Sequence, residues 1–150
     1  MKIPLLIESK TKTIEGITST EKRIILPLTI VGRGIIKTKF IIDTGSSFSF
    51  INYPTFLRLN LPKGEVIVKD MIIGNTIIDL LSIRNLKLYV RSEEEKAISI
   101  ITSILSVALP SEKDKGKAYE LPNIIGLNFL ENHGLKLFID MKNENCYLEV

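Results

Sequence analysis

The sequence predicts an all-β domain with one or two short helices, and three of its features carry that expectation. Apolar and polar residues alternate with a period of two through most of the chain. The alternating runs are short and are broken repeatedly by Gly, Pro, Asn or Asp. Helical patterning is confined to brief stretches. Many short strands separated by turn signals point to a barrel or a sandwich.

Taken in order, RIILPLTIV places Ile24, Leu26, Leu28 and Ile30 on one face of a strand. Gly32-Arg33-Gly34 breaks the run, and Ile36, Thr38, Phe40 and Ile42 line one face of the next, which reads as a hairpin delivering Asp43 to its end. Gly-Arg-Gly lacks the third glycine and the following helix of a phosphate loop, so it is read as a turn. FSFI resumes a strand, and NYPTFLRLN fits one or two helical turns capped by Asn52 with Pro54 in the first turn. LPKGEVIVKDMIIGNTIID reads as two strands around a turn near Gly74 and Asn75. NLKLYV puts Leu86, Leu88 and Val90 on one face.

Residues 92–109 carry competing signals. Ser92 with Glu95 forms a capping box, which favours a helix. Ile98, Ile100, Thr102 and Ile104 alternate in a run dense in β-branched residues, and strand is the expectation. SEKDKGK, 111–117, is expected to be an exposed loop. LPNIIG reads as a short buried strand, LNFLENH as a short helix stopped by Gly134, and LKLFIDM and CYLEV as a hairpin around Lys142–Asn145.

The composition excludes several classes of function. The chain has 150 residues, 45% apolar and 25% charged, with no low-complexity tract or linker, so a single domain spanning 1–150 is expected. The net charge of +3 is scattered, with bases beside acids in EKR and SEKDKGK, which argues against nucleic acid as a partner. Cys146 is the one cysteine and His133 the one histidine. No intrachain disulfide, Cys-based zinc site or Ser-His pair is therefore expected, and neither a metal nor a cofactor. MKIPLLIES is too short for a signal peptide, and ISIITSILSVAL falls short of a membrane span. The expectation is a cytoplasmic protein with no membrane partner.

The stretch that carries chemistry is FIIDTGSSFSFI, 40–51. A carboxylate at a strand end is often only a turn residue. Here Asp43 ends a strongly apolar strand, Thr44 and Gly45 permit a sharp turn whose N–H groups face the carboxylate, and Ser46 adds a hydroxyl. That combination describes a preorganised acid.

This stretch resembles the catalytic loop of aspartic proteases, and LPNIIGLNFLENHGLKLFID, 121–140, resembles that family's apolar-apolar-Gly motif and following helix. The order of elements over residues 23–150 is similar to the retroviral, retropepsin-like type, which implies a closed-barrel-like acid-protease fold. It also implies an aspartic endopeptidase that hydrolyses extended or unfolded polypeptides with a water-activating pair of aspartates. This chain holds one Asp-Thr-Gly; Asp70, Asp79, Asp114 and Asp140 lack the turn chemistry. The resemblance therefore implies a homodimer with one Asp43 from each copy.

By the same resemblance, Thr44 bonds across the two-fold axis and Gly45 brings its backbone to the substrate. Ser46 donates to the Asp43 carboxylate and favours a more acidic optimum, while Ile124, Ile125 and Gly126 support the loop. A flap is implied near Asp70–Thr76, with Met71, Ile72, Ile73, Gly74 and Asn75 at its end, although only Gly74 stands where retroviral flaps carry several glycines. Residues 91–117 form an extension, and Asn128 receives no catalytic role. CYLEV and IPLLIE either build an intersubunit sheet or are ordinary edge strands of one chain. The rival function is a catalytically weak dimerisation or peptide-binding module of the same fold. His133 is read as a helix-end residue and Cys146 as a buried small hydrophobe.

Overall fold

The computed structural model describes residues 1–150. Its first strands are β1 (Lys2–Pro4), β2 (Leu6–Ile14), β3 (Ile17–Val31), β4 (Ile35–Ile42) and β5 (Phe50–Asn52), followed by helix α1 (Tyr53–Leu59). Then come β6 (Val66–Ile73), β7 (Thr76–Ser82), β8 (Leu86–Arg91), β9 (Ala97–Thr102), β10 (Ser106–Pro110) and β11 (Asn123–Ile125). Helix α2 (Leu127–Asn132), β12 (Lys136–Asp140) and β13 (Asn145–Glu149) complete the chain. No helix is long and apolar enough to cross a membrane.

A ten-stranded sheet follows the path β6-β7-β10-β5-β11-β4-β3-β8-β9, with β2 paired to β3. The all-β expectation holds, with the two short helices where they were read. The path is open, since it begins at β6 and ends at β9, so the hydrogen-bonded strands form no closed ring. Residues 97–102 and 106–110 are strands, as the β-branched alternation predicts. The Ser92 hydroxyl caps a turn by accepting from the Lys96 N–H at 3.1 Å and starts no helix.

Alternation along β3 and β4 sorts their side chains onto two cores. Leu26, Leu28 and Ile30 face Ile36, Phe40 and Ile42 in the larger cluster, which also takes in Phe129 and Leu130 of α2. Ile41 points the other way, to a smaller cluster built on Phe50, Ile78, Leu80, Ala108, Ala118 and Ile124. Helix α1 begins where the Asn52 side chain accepts from the Thr55 N–H at 2.9 Å, and it ends at Asn60 in a left-handed conformation.

Two features of the fold go beyond what the sequence expresses. The termini pair within one chain: β1 runs antiparallel to β13, and β12 closes a three-stranded sheet in the order β1-β13-β12. In that sheet β1 and β12 are the outer strands. Second, β3 begins at Ile17, well before Arg23, and pairs along its first half with β2 to form a long hairpin arm. Nothing in the sequence marks this arm, because its side chains are mostly polar on both faces and bury no row of apolar residues.

Candidate active site

The chain path explains why Asp43 stands where it does. Strand β11 lies between β4 and β5, parallel to β4 and antiparallel to β5. The loop joining β4 to β5, residues 43–49, must therefore cross over the end of β11, which is Ile125 followed by Gly126. Main-chain bonds fix the crossing. The Asp43 N–H donates to the Ile125 carbonyl at 2.9 Å, and the Leu127 N–H donates to the Ser46 carbonyl at 2.8 Å. A side chain at Gly126 has no space, because a Cβ there would stand 2.5 Å from the Ser46 carbonyl oxygen and closer still to that of Phe48.

Within the loop, the Gly45 N–H donates to Asp43 Oδ1 at 2.9 Å and the Ser46 N–H to the Asp43 carbonyl at 3.1 Å. Gly45 thus holds the carboxylate in one orientation, which is the preorganisation expected from the turn. Ser46 differs from its expected role. Its hydroxyl donates to the Phe48 carbonyl at 2.7 Å and accepts from the Phe48 N–H at 3.3 Å. The hydroxyl is occupied in closing the turn, and the argument from Ser46 to a more acidic optimum falls away. Thr44 is exposed beside the carboxylate.

Ser49 is the residue that sequence reasoning missed. It is fully buried, accepts from the Gly126 N–H at 2.8 Å and donates to Asn128 Oδ1 at 2.6 Å. One hydroxyl thereby ties the far end of the loop to both β11 and the first turn of α2. Asn128, given no catalytic role from the sequence, is a brace for that hydroxyl. The signal was present in the small polar Ser49 set between Phe48 and Phe50, but nothing local names its partners.

Asp43 opens onto a cleft of about 390 Å³, lined by Glu21, Lys22, Arg23, Ile24, Ile41, Ile42, Pro122 and Ile124 as well as Asp43. Glu21 is the other carboxylate along it, and its Oε1 lies 3.4 Å from Arg23 Nε. The β6–β7 hairpin turns at Gly74-Asn75, with Gly74 at φ +58°. Met71 and Ile73 pack against the smaller core that contains Ile41 and Ile124, while Ile72 is 74% exposed at the hairpin's end. His133 lies elsewhere, accepting from or donating to Thr102 Oγ1 at 2.9 Å, with burial lowering its pKa.

The half of that hairpin nearer its turn is held by carboxylates. Asp70 sits at a bulge with φ +53°, its side chain bonded to the Ser111 hydroxyl and 3.2 Å from Lys113 Nζ, and its N–H donates to Asp79 Oδ1 at 2.8 Å. Asp114 accepts from the N–H groups of Ile77 at 3.1 Å and Ala118 at 3.0 Å. The segment 111–117, expected to be a plain exposed loop, is thus a brace with a buried serine.

Hydrogen bonding from Ser111, then from Lys113, lowers the Asp70 pKa, and backbone N–H groups of Ala118 and Ile77 lower that of Asp114. Carboxylates with depressed folded values add stability above the ordinary value of 3.8 and lose it as pH falls through the folded value. Amide hydrogen exchange across residues 66–82 is therefore expected to accelerate as pH drops below the ordinary carboxylate range, after correction for intrinsic rates. Combining Asp70→Asn with Asp114→Asn should raise exchange at neutral pH and flatten that acid dependence.

Neither the family models nor the curated proteins compared with the chain match it by sequence. The structure does find relatives. The crystal structure of a retropepsin-like aspartic protease from Rickettsia conorii aligns over 96% of this chain and 93% of that one, with 15% identity and a TM-score of 0.52. The fold is retropepsin-like. EIAV protease, complexed with the inhibitor HBY-793, also aligns, over 79% of this chain and 95% of that one, with 19% identity and a TM-score of 0.44. The retropepsin-like assignment rests on the first comparison and on the crossing of the 43–49 loop over Gly126.

Proposed function

We propose that this chain is an aspartic endopeptidase that acts as a homodimer, with Asp43 of each copy forming the catalytic pair. One observation carries the reading. Asp43 is exposed at the mouth of a cleft on a loop fixed to β11 by main-chain bonds, with its carboxylate oriented by the Gly45 N–H. No other Asp of the chain has such a turn, and Glu21 pairs with Arg23. The second acid therefore has to come from a second copy. Phe48 at 37% and Leu127 at 47% exposure flank the loop, which fits a surface that another chain covers.

In the dimer, two adjacent carboxylates share one proton because both cannot ionise side by side. The ionised one accepts a proton from water as the water oxygen attacks the peptide carbonyl. The protonated one donates to the carbonyl oxygen, giving a tetrahedral diol. The carboxyl now protonated then gives its proton to the nitrogen while the other takes one from a diol hydroxyl, so the C–N bond breaks to a carboxylic acid and an amine and the pair ends in its starting charge state. An extended peptide would lie between the Asp43 loops and the two β6–β7 hairpins, whose closure excludes water. The main-chain anchoring holds the carboxylates in register, so little reorganisation accompanies the reaction.

The test is cleavage of an unfolded protein mixture between pH 3 and 8, wild type beside Asp43→Asn, read by mass spectrometry. Cleavage by the wild type alone supports the reading. Cleavage by neither, with both dimeric, leaves a peptide-binding or dimerisation module.

A further inference from the structure

The arm formed by β2 and the first half of β3 has no role in the domain that carries it. Residues 8–22 are exposed throughout, and the register runs unbroken from Leu6 opposite Ile25 to Ile14 opposite Ile17. The arm ends in a tight turn with Glu15 at φ +52° and Gly16 at φ +79°. At that tip Ile14 and Ile17 form a cross-strand pair exposed by 68% and 73%. An isolated two-stranded ribbon is marginal in water, and an apolar pair at its far end has no reason to be there unless something covers it.

Topology says where the arm goes. Strands β3 and β4 are antiparallel, with Ile25 opposite Ile41 and Leu26 opposite Phe40. Continuing that register sets Arg23 opposite Asp43, and both line the same cleft. Strand β4 stops at this point, whereas β3 and β2 extend past it in the direction β4 was travelling. From Arg23 to Gly16 the arm reaches about 24 Å beyond Asp43, at about 3.4 Å per residue. If two Asp43 carboxylates meet across a two-fold axis, that axis lies within a few ångströms of Asp43. An arm of this length, rooted beside it, has to pass onto the other copy.

We infer that the arms are exchanged: each β2–β3 hairpin crosses the two-fold and packs on the second copy, anchored by Ile14 and Ile17. This rests on the paired-Asp43 reading, and it deepens that reading by naming the surface that brings the pair together. Beyond Asp43, the edge of β3 that β4 no longer covers is open for backbone pairing with the second copy. Lys22 and Arg23 at the root then lie where the two cleft halves join.

Sedimentation equilibrium over a concentration series tests this, with two altered chains beside the wild type. One carries Ile14→Lys and Ile17→Lys. The other has a shortened arm in which residues 11–20 are replaced by Asn-Gly, which keeps Glu21 in the cleft. Both changes lie outside the core, so thermal unfolding of the monomer is expected to be unaltered. The wild type should dimerise, and both variants should weaken the dimer on the order of a hundredfold, from losing the burial of two isoleucines per arm. Cleavage should then return as concentration rises. Equal dimer strength in all three overturns the exchange and leaves the paired-Asp43 reading intact. A wild type that stays monomeric overturns both. An arm-dependent dimer that cleaves nothing upholds the exchange and overturns the protease reading.

Discussion

Asp43→Asn is expected to remove peptide cleavage while leaving fold and association unchanged. Asparagine has the shape of aspartate, and its amide oxygen can still accept from the Gly45 N–H that now holds Oδ1 at 2.9 Å. The main-chain anchors, from the Asp43 N–H to Ile125 and from the Leu127 N–H to Ser46, do not involve the side chain at all. What is lost is the ability to take a proton from water and to return one to the substrate. Removing a general acid–base of this kind costs about 10²- to 10⁴-fold in kcat. Circular dichroism and solution mass should be the same for both proteins, which separates lost chemistry from lost structure.

Gly126→Ala is expected to act on structure first and on activity as a consequence. Gly126 has φ −99°, a conformation that alanine adopts freely, so backbone strain is not the issue. Space is. The added Cβ would meet the Ser46 carbonyl oxygen at 2.5 Å and the Phe48 carbonyl carbon at 2.9 Å, both backbone atoms of the crossing loop. The loop would have to lift, breaking the Leu127 N–H to Ser46 bond and the Gly126 N–H to Ser49 Oγ bond at 2.8 Å. Overpacking of this severity destabilises by roughly 3 kcal/mol or more. A chemical denaturation midpoint would measure it, and kcat should fall with it because Asp43 rides on the same loop. Unaltered stability would mean that the loop does not cross β11 as closely as described.

The strands that bury apolar rows were legible in the sequence, and so was the acid they present. In β3 and β4 the alternation of Leu26, Leu28 and Ile30 with Ile36, Phe40 and Ile42 is the signature of a strand with an inner face, and the larger core is made from those residues. Asp43-Thr44-Gly45 was readable because its turn chemistry is local: the bond from Gly45 to the carboxylate spans two residues. The arm was not legible, since Ser9, Thr11 and Thr13 facing Lys22, Thr20 and Thr18 bury nothing that would mark a period. Long-range polar partnerships were likewise hidden. Ser49 to Asn128 spans 79 positions and Asp70 to Ser111 spans 41. Ser46 was misassigned for the same reason in miniature: a hydroxyl near a carboxylate was taken as its donor, when the Phe48 carbonyl was the better placed acceptor.

The central claim is that one active site needs an Asp43 from each of two copies, and subunit mixing tests it most directly. Wild-type chain would be combined with increasing Asp43→Asn chain, allowed to exchange, and assayed for cleavage at fixed wild-type-plus-variant concentration. If each site takes one carboxylate from each copy, mixed dimers are inactive, and an equal mixture falls to roughly a quarter of the starting rate. A decline to roughly half would mean that each chain carries a complete site of its own, and it would contradict the paired-Asp43 account.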